Sequence, residues 1–388
     1  MKYRELGATG LRVSEIGFGG EWMERHSAEE TAEVVRSCEA AGINILDCWM
    51  SDPSVRSKLG DAIKDSRERW IIQGHIGSTW KDGQYERTRD INKVKPAFED
   101  LLNRFHTDHI ELGMIHFVDD EQDFDEIING PFYEYVLSLK KSGVIGHIGM
   151  SSHSPSVALK AAKSGKIEML LFSVNPAYDL LPPTVDILSA GENINEFFTQ
   201  NCEEGKSGID PVRAELYRVC EQRGVGITVM KGFAGGRLFD AKMSPFGVSL
   251  TPIMCLHYAL TRPGVASVMV GFDDVSQVMQ AVGYENATAE EKDYASVIAG
   301  APLRSYTGQC TYCGHCEPCP EEIDIAMVNK LADLAKMQGE VPQSIRAHYE
   351  ALNKNASDCI ACGNCEGRCP FKVPVTELME ETRILFAR

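Results

Sequence analysis

The chain has 388 residues, enough for one large domain and a smaller one. Its 56 acidic residues against 39 basic ones give a formal net charge of −17, which argues against nucleic-acid binding and is compatible with docking to a partner that has a basic face. No apolar run approaches the roughly 20 residues of a membrane span and the opening MKYRELGATG lacks an apolar signal region, so a soluble, cytoplasmic protein is expected.

Between residue 14 and about residue 285, short apolar runs alternate with helical patterns. The runs are SEIGFGG (14–20), INILDCW (43–49), WIIQGHIG (70–77), HIELGMIHF (109–117), IGHIGMS (145–151), EMLLFSVN (168–175), GITVMKGF (226–233) and VASVMVGF (265–272). Segments such as AEETAEVVRSCEAAG, INKVKPAFEDLLNRF and SLTPIMCLHYALTRPG carry the i, i+3/i+4 apolar spacing of helices. Eight such βα units predict a (β/α)8 TIM barrel of the α/β class over residues 1–295. A doubly wound open sheet is the alternative, but GFGGEWM after the first run does not match G-x-G-x-x-G.

After the sixth run, residues 179–210 form an insertion longer than an ordinary βα connection. Its place at the strand ends suits a lid or part of a substrate pocket, with a surface excursion as the plainer reading. Ile194, Phe197 and Phe198 favour packing. Residues 296–388 then read as a small, mainly helical ferredoxin-like domain, with helices between Ile323 and Asn355.

That second domain holds two cysteine runs, Cys310-x2-Cys313-x2-Cys316-x2-Cys319-Pro320 and Cys359-x2-Cys362-x2-Cys365-x3-Cys369-Pro370. Their eight thiolates are the number that two [4Fe-4S] clusters require, and in two-cluster ferredoxins the cysteine before proline ligates the opposite cluster. The crossed sets are therefore Cys310, Cys313, Cys316 with Cys369, and Cys359, Cys362, Cys365 with Cys319. Zinc knuckles or a disulfide framework are the alternatives, disfavoured by triplets that end in Cys-Pro. The first run is one residue short of the common final spacing, so Cys319 is its least regular member. Cys38, Cys48, Cys202, Cys220 and Cys255 are scattered singly, as reduced thiols would be.

In a barrel of this kind the chemistry sits at the carboxyl ends of the strands. Those positions hold Glu21, Asp47, His75, His116, Ser151, Ser152, His153, Asn175, Lys231, Asp273 and Asp274. Burying such groups is costly unless they are paired, so their convergence at one rim marks a site. Asp47, His75 and His116, from three consecutive strands, form its centre. A histidine beside an aromatic residue, as in His116-Phe117, is by itself more often a satisfied core residue.

At these residues the chain resembles the aldo/keto reductase superfamily, and with its tail the branch that carries a C-terminal two-[4Fe-4S] ferredoxin-type domain. The resemblance lies in YRELGATGLRVSEIGFGG, NILDCWMSDPSVRSKLGDAI, IGMSSHSPSVALKAAKSGKIE and GITVMKGFAGGRL, and spans nearly the whole chain. It implies a tetrad of Asp, Tyr, Lys and His that reduces a carbonyl with hydride from a nicotinamide. Asp47 and His116 match the aspartate and histidine, whereas Asp52 falls at the tyrosine position and His75 at the lysine position. The residue that stacks on nicotinamide falls at or near Lys231, and GFDDVSQVMQA replaces a basic cofactor segment.

The candidate catalytic set is thus Asp47, His75, His116, Asp52 and Lys231, with Ser151, Ser152 and Asn175 as candidate cofactor contacts. These departures leave NAD(P)H binding open, since two aspartates repel a 2′-phosphate. The expected activity is that of an iron–sulfur oxidoreductase acting on a carbonyl- or hydroxyl-bearing small molecule, with electrons from ferredoxin or flavodoxin. The alternatives are a nicotinamide-dependent reductase, an acid/base lyase or isomerase with structural clusters, and an electron carrier whose barrel has no activity.

Overall fold

The computed structural model describes residues 1–185, 187, 208–301, 306–336 and 341–387. The chain divides into two compact units that are discontinuous in sequence. The first comprises Met1–Asn175, Val219–Gly232 and Gly264–Thr288, and the second Pro176–Arg218, Phe233–Pro263 and Ala289–Arg388.

The first unit contains the whole barrel. An antiparallel hairpin of β1 (Tyr3–Glu5) and β2 (Arg12–Ser14) precedes it. The barrel strands follow, with β3 at Ile16–Gly19, β4 at Ile45–Cys48 and β5 at Ile71–Ile76. A second hairpin, β6 (Ser78–Lys81) and β7 (Gln84–Arg87), lies between β5 and β8 (Ile110–Ile115). β9 (Ile145–Ser152), β10 (Met169–Ser173), β11 (Gly226–Met230) and β12 (Val265–Gly271) complete the set. β3-β4-β5-β8-β9-β10-β11-β12 pair in parallel, and β12 returns to β3 to close the barrel. All eight apolar runs of the sequence are therefore barrel strands, and the open-sheet alternative falls.

Side chains fill the barrel interior rather than leaving a pore. Leu6 and Val13 from the first hairpin, Ile45, Leu112, Met114, Met169 and Met269 form one buried cluster. Glycines make room for the methionines. A Cβ on Gly149 would lie 2.3 Å from the Met114 sulfur and 2.5 Å from that of Met169.

The β6–β7 hairpin was not read from the sequence. Its turn is Asp82-Gly83, both with positive φ (52° and 80°), which is the backbone a tight two-residue hairpin turn demands. Trp80 then faces Tyr85 across the strands. Its base is closed by a hydrogen bond from Thr88 N to Gly77 O of 3.0 Å.

The second unit holds the cysteine runs, with helices at Ile325–Lys336, Gln343–Glu350 and Val375–Ala387. The 179–210 insertion begins and ends here, and its two ends are joined by a bond from Asp210 N to Asp179 O of 2.7 Å. Ile194, Phe197, Phe198 and Cys202 lie outside the described residues. Among the described residues no helix is long and apolar enough to cross a membrane.

Candidate active site and cysteine centres

Parallel register builds the site. Asp47 on β4 is paired with Gln73 on β5, and alternation puts His75 on the same side of β5 as Gln73. His116 follows the end of β8, with its amide bonded to Ile76 O at 3.0 Å. The four side chains are buried, at 5 %, 0 %, 2 % and 5 % exposure for Asp47, Gln73, His75 and His116.

They form one connected chain. Gln73 Nε2 donates to Asp47 Oδ1 (2.8 Å), and His75 Nε2 lies 3.0 Å from the same oxygen. His75 Nδ1 and His116 Nδ1 are 2.8 Å apart. His116 Nε2 is then 2.7 Å from the hydroxyl of Tyr85, carried on β7. An ionised Asp47 can only accept, so His75 carries its hydrogen on Nε2 and accepts at Nδ1. His116 therefore donates from Nδ1 and accepts at Nε2, which the Tyr85 hydroxyl fills. With both rings neutral, Asp47, His75, His116 and Tyr85 have partners of the right kind, and the buried Oε1 of Gln73 is left without one.

Electrostatics support that state. Burial, together with the repulsion of a charge on His75 and of Arg89, His153 and Arg87, holds His116 well below the usual imidazole range. Burial raises the Tyr85 phenol above its ordinary value, against the pull of Arg87 and Arg89. Trp49 stacks on His116 (centroids 6.0 Å apart, planes 9°) and meets Tyr85 edge-on at 5.6 Å. Arg89 donates to His116 O at 2.8 Å and to Phe117 O at 3.0 Å, while pairing with Asp123 at 2.8 Å. It fixes the strained turn at Phe117, whose φ is 50°.

The remaining candidates have other partners. Asp52 does not join the chain: its carboxylate caps the helix Pro53–Ile63, accepting from Ser54 N at 2.7 Å. Ser151 Oγ accepts from Phe117 N at 2.8 Å, and Ser152 Oγ donates to Asp119 at 3.0 Å. His153 Nδ1 is 2.9 Å from the same carboxylate. Asn175 donates to Lys231 O at 2.9 Å, and Lys231 is exposed, with a φ of 58°. After β12, Asp273 pairs with His26 at 2.9 Å and Asp274 caps the helix Val275–Val282. Cys48, next to Asp47, is buried, and burial pushes its thiol up to about 12, away from the thiolate form.

Gln73, Tyr85, Trp49 and Arg89 are the site residues that sequence reasoning missed. The signal for Tyr85 was present, since Asp-Gly between Trp80 and Tyr85 marks a hairpin.

In the second unit none of the eight cysteines of the two runs is in a disulfide, so the disulfide-framework alternative falls. Both runs repeat one backbone pattern. Positive φ occurs at Tyr312 (56°) and Ala361 (52°), at Gly314 (83°) and Gly363 (73°), and at Glu322 (58°) and Lys372 (54°). These are equivalent places relative to the first, second and fourth cysteines, so Cys319 and Cys369 correspond despite the shorter spacer. One cavity is lined by Cys319 together with Cys359, Cys362 and Cys365, and by Ile323 and Met379. These four are one of the crossed sets read from the sequence, although among the described residues no group of three or more His, Cys, Asp or Glu side chains is placed to hold a metal ion. Asn329 Nδ2 and Val373 N lie 3.5 Å from the sulfurs of Cys310 and Cys369, in position to donate to them.

Comparison with known proteins agrees with this layout. Residues 15–201 match the aldo/keto reductase family, and residues 309–374 a 4Fe-4S dicluster domain. Among relatives, the chain is 26% identical over 319 residues to the uncharacterized oxidoreductase YqkF of Bacillus subtilis, covering 81% of this chain and 99% of that protein. It is 24% identical over 305 residues to L-galactose dehydrogenase of Arabidopsis thaliana, covering 73% and 87%. Among solved structures, aldo-keto reductase AKR11C1 from Bacillus halodurans, in its holo form, superposes with a TM-score of 0.57 at 24% identity, over 79% of this chain and 98% of that one. A putative aldo-keto reductase from Pseudomonas aeruginosa gives 0.55 at 22% identity, over 73% and 93%. The chain thus carries an aldo/keto reductase domain followed by a 4Fe-4S dicluster domain. It is an oxidoreductase.

Proposed function

We propose that the protein reduces a carbonyl-bearing small molecule at the barrel mouth, with electrons arriving one at a time rather than as hydride from NADPH. The observation that carries this reading is the Asp47–His75–His116 chain, in which His75 stands at the family's lysine position, while Asp52, at its tyrosine position, caps a helix. A histidine pair bonded to a carboxylate can pass protons, but it lacks the ammonium that hydride chemistry pairs with a phenol. Asp273 and Asp274 oppose a 2′-phosphate in the same direction. In the proposed reaction the carbonyl carbon gains two electrons and a proton, and its oxygen gains the second proton.

The crossed sets of Cys310, Cys313, Cys316 with Cys369 and Cys359, Cys362, Cys365 with Cys319 would hold two [4Fe-4S] clusters. When bound, these supply one-electron transfer from a low-potential carrier such as ferredoxin or flavodoxin. The protein residues do the rest. Asp47 orients His75, Gln73 holds Asp47, and His75 fixes the tautomer of His116. Trp49 covers one face of His116 and restricts water there. Lys231, exposed at the end of β11, would in this reading meet negative charge that develops on a substrate.

The test is an anaerobic titration of the holoprotein with NADH, NADPH and reduced ferredoxin, followed by cluster absorbance and EPR. Reduction by ferredoxin, coupled to turnover of a carbonyl, is expected. Rapid reduction by either nicotinamide would defeat the reading.

A further inference from the structure

We infer that Tyr85, on the β6–β7 hairpin, is the catalytic residue that exchanges a proton with the substrate oxygen, and that Asp47, His75 and His116 form the relay that reloads it. The chemistry rests on the reduction proposed above, whereas the relay itself is a matter of geometry. The position at which the family resemblance expects a phenol holds Asp52, and Asp52 is spent on a helix cap. A different phenol reaches the site from a different element, 2.7 Å from His116 Nε2.

Exposure singles Tyr85 out. Asp47, His75 and His116 are at most 5 % exposed, whereas Tyr85 is 42 % exposed. Protons can enter or leave this chain to solvent or substrate through the phenol, while the buried members only pass them on. The hairpin is also held firmly, as a proton-transfer group requires. Ser78 Oγ donates to Trp49 O (2.6 Å), Ser51 Oγ to Thr79 O (2.7 Å) and Arg87 to Phe117 O (2.9 Å), so both strands are tied to the rim that carries the histidines.

The proton inventory can be followed atom by atom. At rest, hydrogens sit on His75 Nε2, His116 Nδ1 and the Tyr85 oxygen, the last directed at His116. One added proton reverses the outer part of the chain. His75 then carries hydrogen on both nitrogens beside the Asp47 carboxylate, His116 carries its hydrogen on Nε2, and the phenol hydrogen is free to face the substrate. In delivery, the phenol O–H breaks and the substrate O–H forms. His116 Nε2–H passes to the phenol oxygen, His75 Nδ1–H passes to His116 Nδ1, and the resting arrangement returns. The two electrons come from the one-electron carrier, and the proton on carbon comes from solvent.

The experiment compares holoprotein with its Tyr85→Phe variant, which keeps the ring against Trp49 and loses only the hydroxyl. Turnover is assayed on a panel of aliphatic and aromatic aldehydes with dithionite-reduced methyl viologen as donor. Expected is a fall in kcat of roughly 10²–10⁴-fold, the usual weight of general acid–base catalysis, with KM and cluster absorbance kept. Ordinary kcat in Tyr85→Phe overturns the assignment and leaves the reductase reading standing. In parallel, 15N-histidine NMR of the oxidised proteins reads the tautomers directly. A His116 protonated at Nδ1, with its Nε2 signal moving to that of an unbonded lone pair in Tyr85→Phe, supports the relay even if no aldehyde is reduced and the reduction reading itself fails. His116 signals unchanged in the variant overturn it.

Discussion

Two buried polar chains in this molecule start from an aspartate, and they end differently. In the first unit Asp47 leads through His75 and His116 to Tyr85, which meets solvent. In the second, Asp179 accepts from Tyr217 at 2.5 Å and Tyr258 at 2.7 Å, with Arg213 at 3.5 Å. Tyr258 lies 3.1 Å from the hydroxyl of Tyr306, which donates to the backbone carbonyl of Pro176. Asp179 is fully buried, and Tyr217, Tyr258 and Tyr306 are at most 1 % exposed. Burial raises all three phenols well above their ordinary range. An aspartate thus leads through two histidines to an exposed phenol in one chain, and through phenols alone to a buried carbonyl in the other. The two differ both in access to solvent and in the histidines that only the first contains.

That contrast can be broken by mutation. His116→Ala should abolish turnover, by roughly 10²–10⁴-fold, while iron content and the unfolding midpoint hold; normal turnover would remove His116 from the site. Asp179→Ala should act the other way. It removes the buried acceptor of the Tyr258 hydroxyl, and stability should fall by about 1–3 kcal/mol in denaturant unfolding of the holoprotein. A negligible change would mean that the sealed chain is ornamental.

Acid provides a subtler separation. His116 has its folded pKa below the unfolded value of about 6.5, so in that interval the unfolded chain binds more protons. The stability it contributes is complete above about pH 6.5 and is lost as the pH falls, by about 1.4 kcal/mol per unit until the folded value is reached. Asp179 has the opposite sign. Burial raises its carboxyl against the pull of Arg213, Tyr217 and Tyr258, so its contribution is lost as the pH rises through the window above the unfolded value of about 3.9. Urea midpoints across this range for His116→Asn and Asp179→Asn should lose opposite slopes; equal slopes would erase the distinction between the chains. The smallest effect belongs to Asp52→Ala. Loss of a helix cap costs about 1 kcal/mol, and turnover should be unchanged. A large loss of activity would return Asp52 to the catalytic set.

Where function follows strand order, the sequence was readable. Each apolar run became a barrel strand, and Asp47, His75 and His116 converge because consecutive parallel strands must place their ends together. Tyr85 escaped because it belongs to no barrel strand, and its Asp-Gly turn lies between the runs that were read. Asp52 was put in the site by register with a family pattern, yet locally it precedes Ser54 and a helix beginning with proline, which is an N-cap context. The Asp179 chain was illegible for a different reason. Its partners at positions 213, 217, 258 and 306 are brought together only by the tertiary fold. The equivalence of Cys319 and Cys369 likewise lies in backbone angles rather than in spacing.

The bond from Thr88 N to Gly77 O closes the hairpin at its root, so the chain enters and leaves the excursion at adjoining points. A chain shortened from Gly77 to Thr88 should therefore keep β5 and β8 in register and lose only the phenol that the hairpin carries.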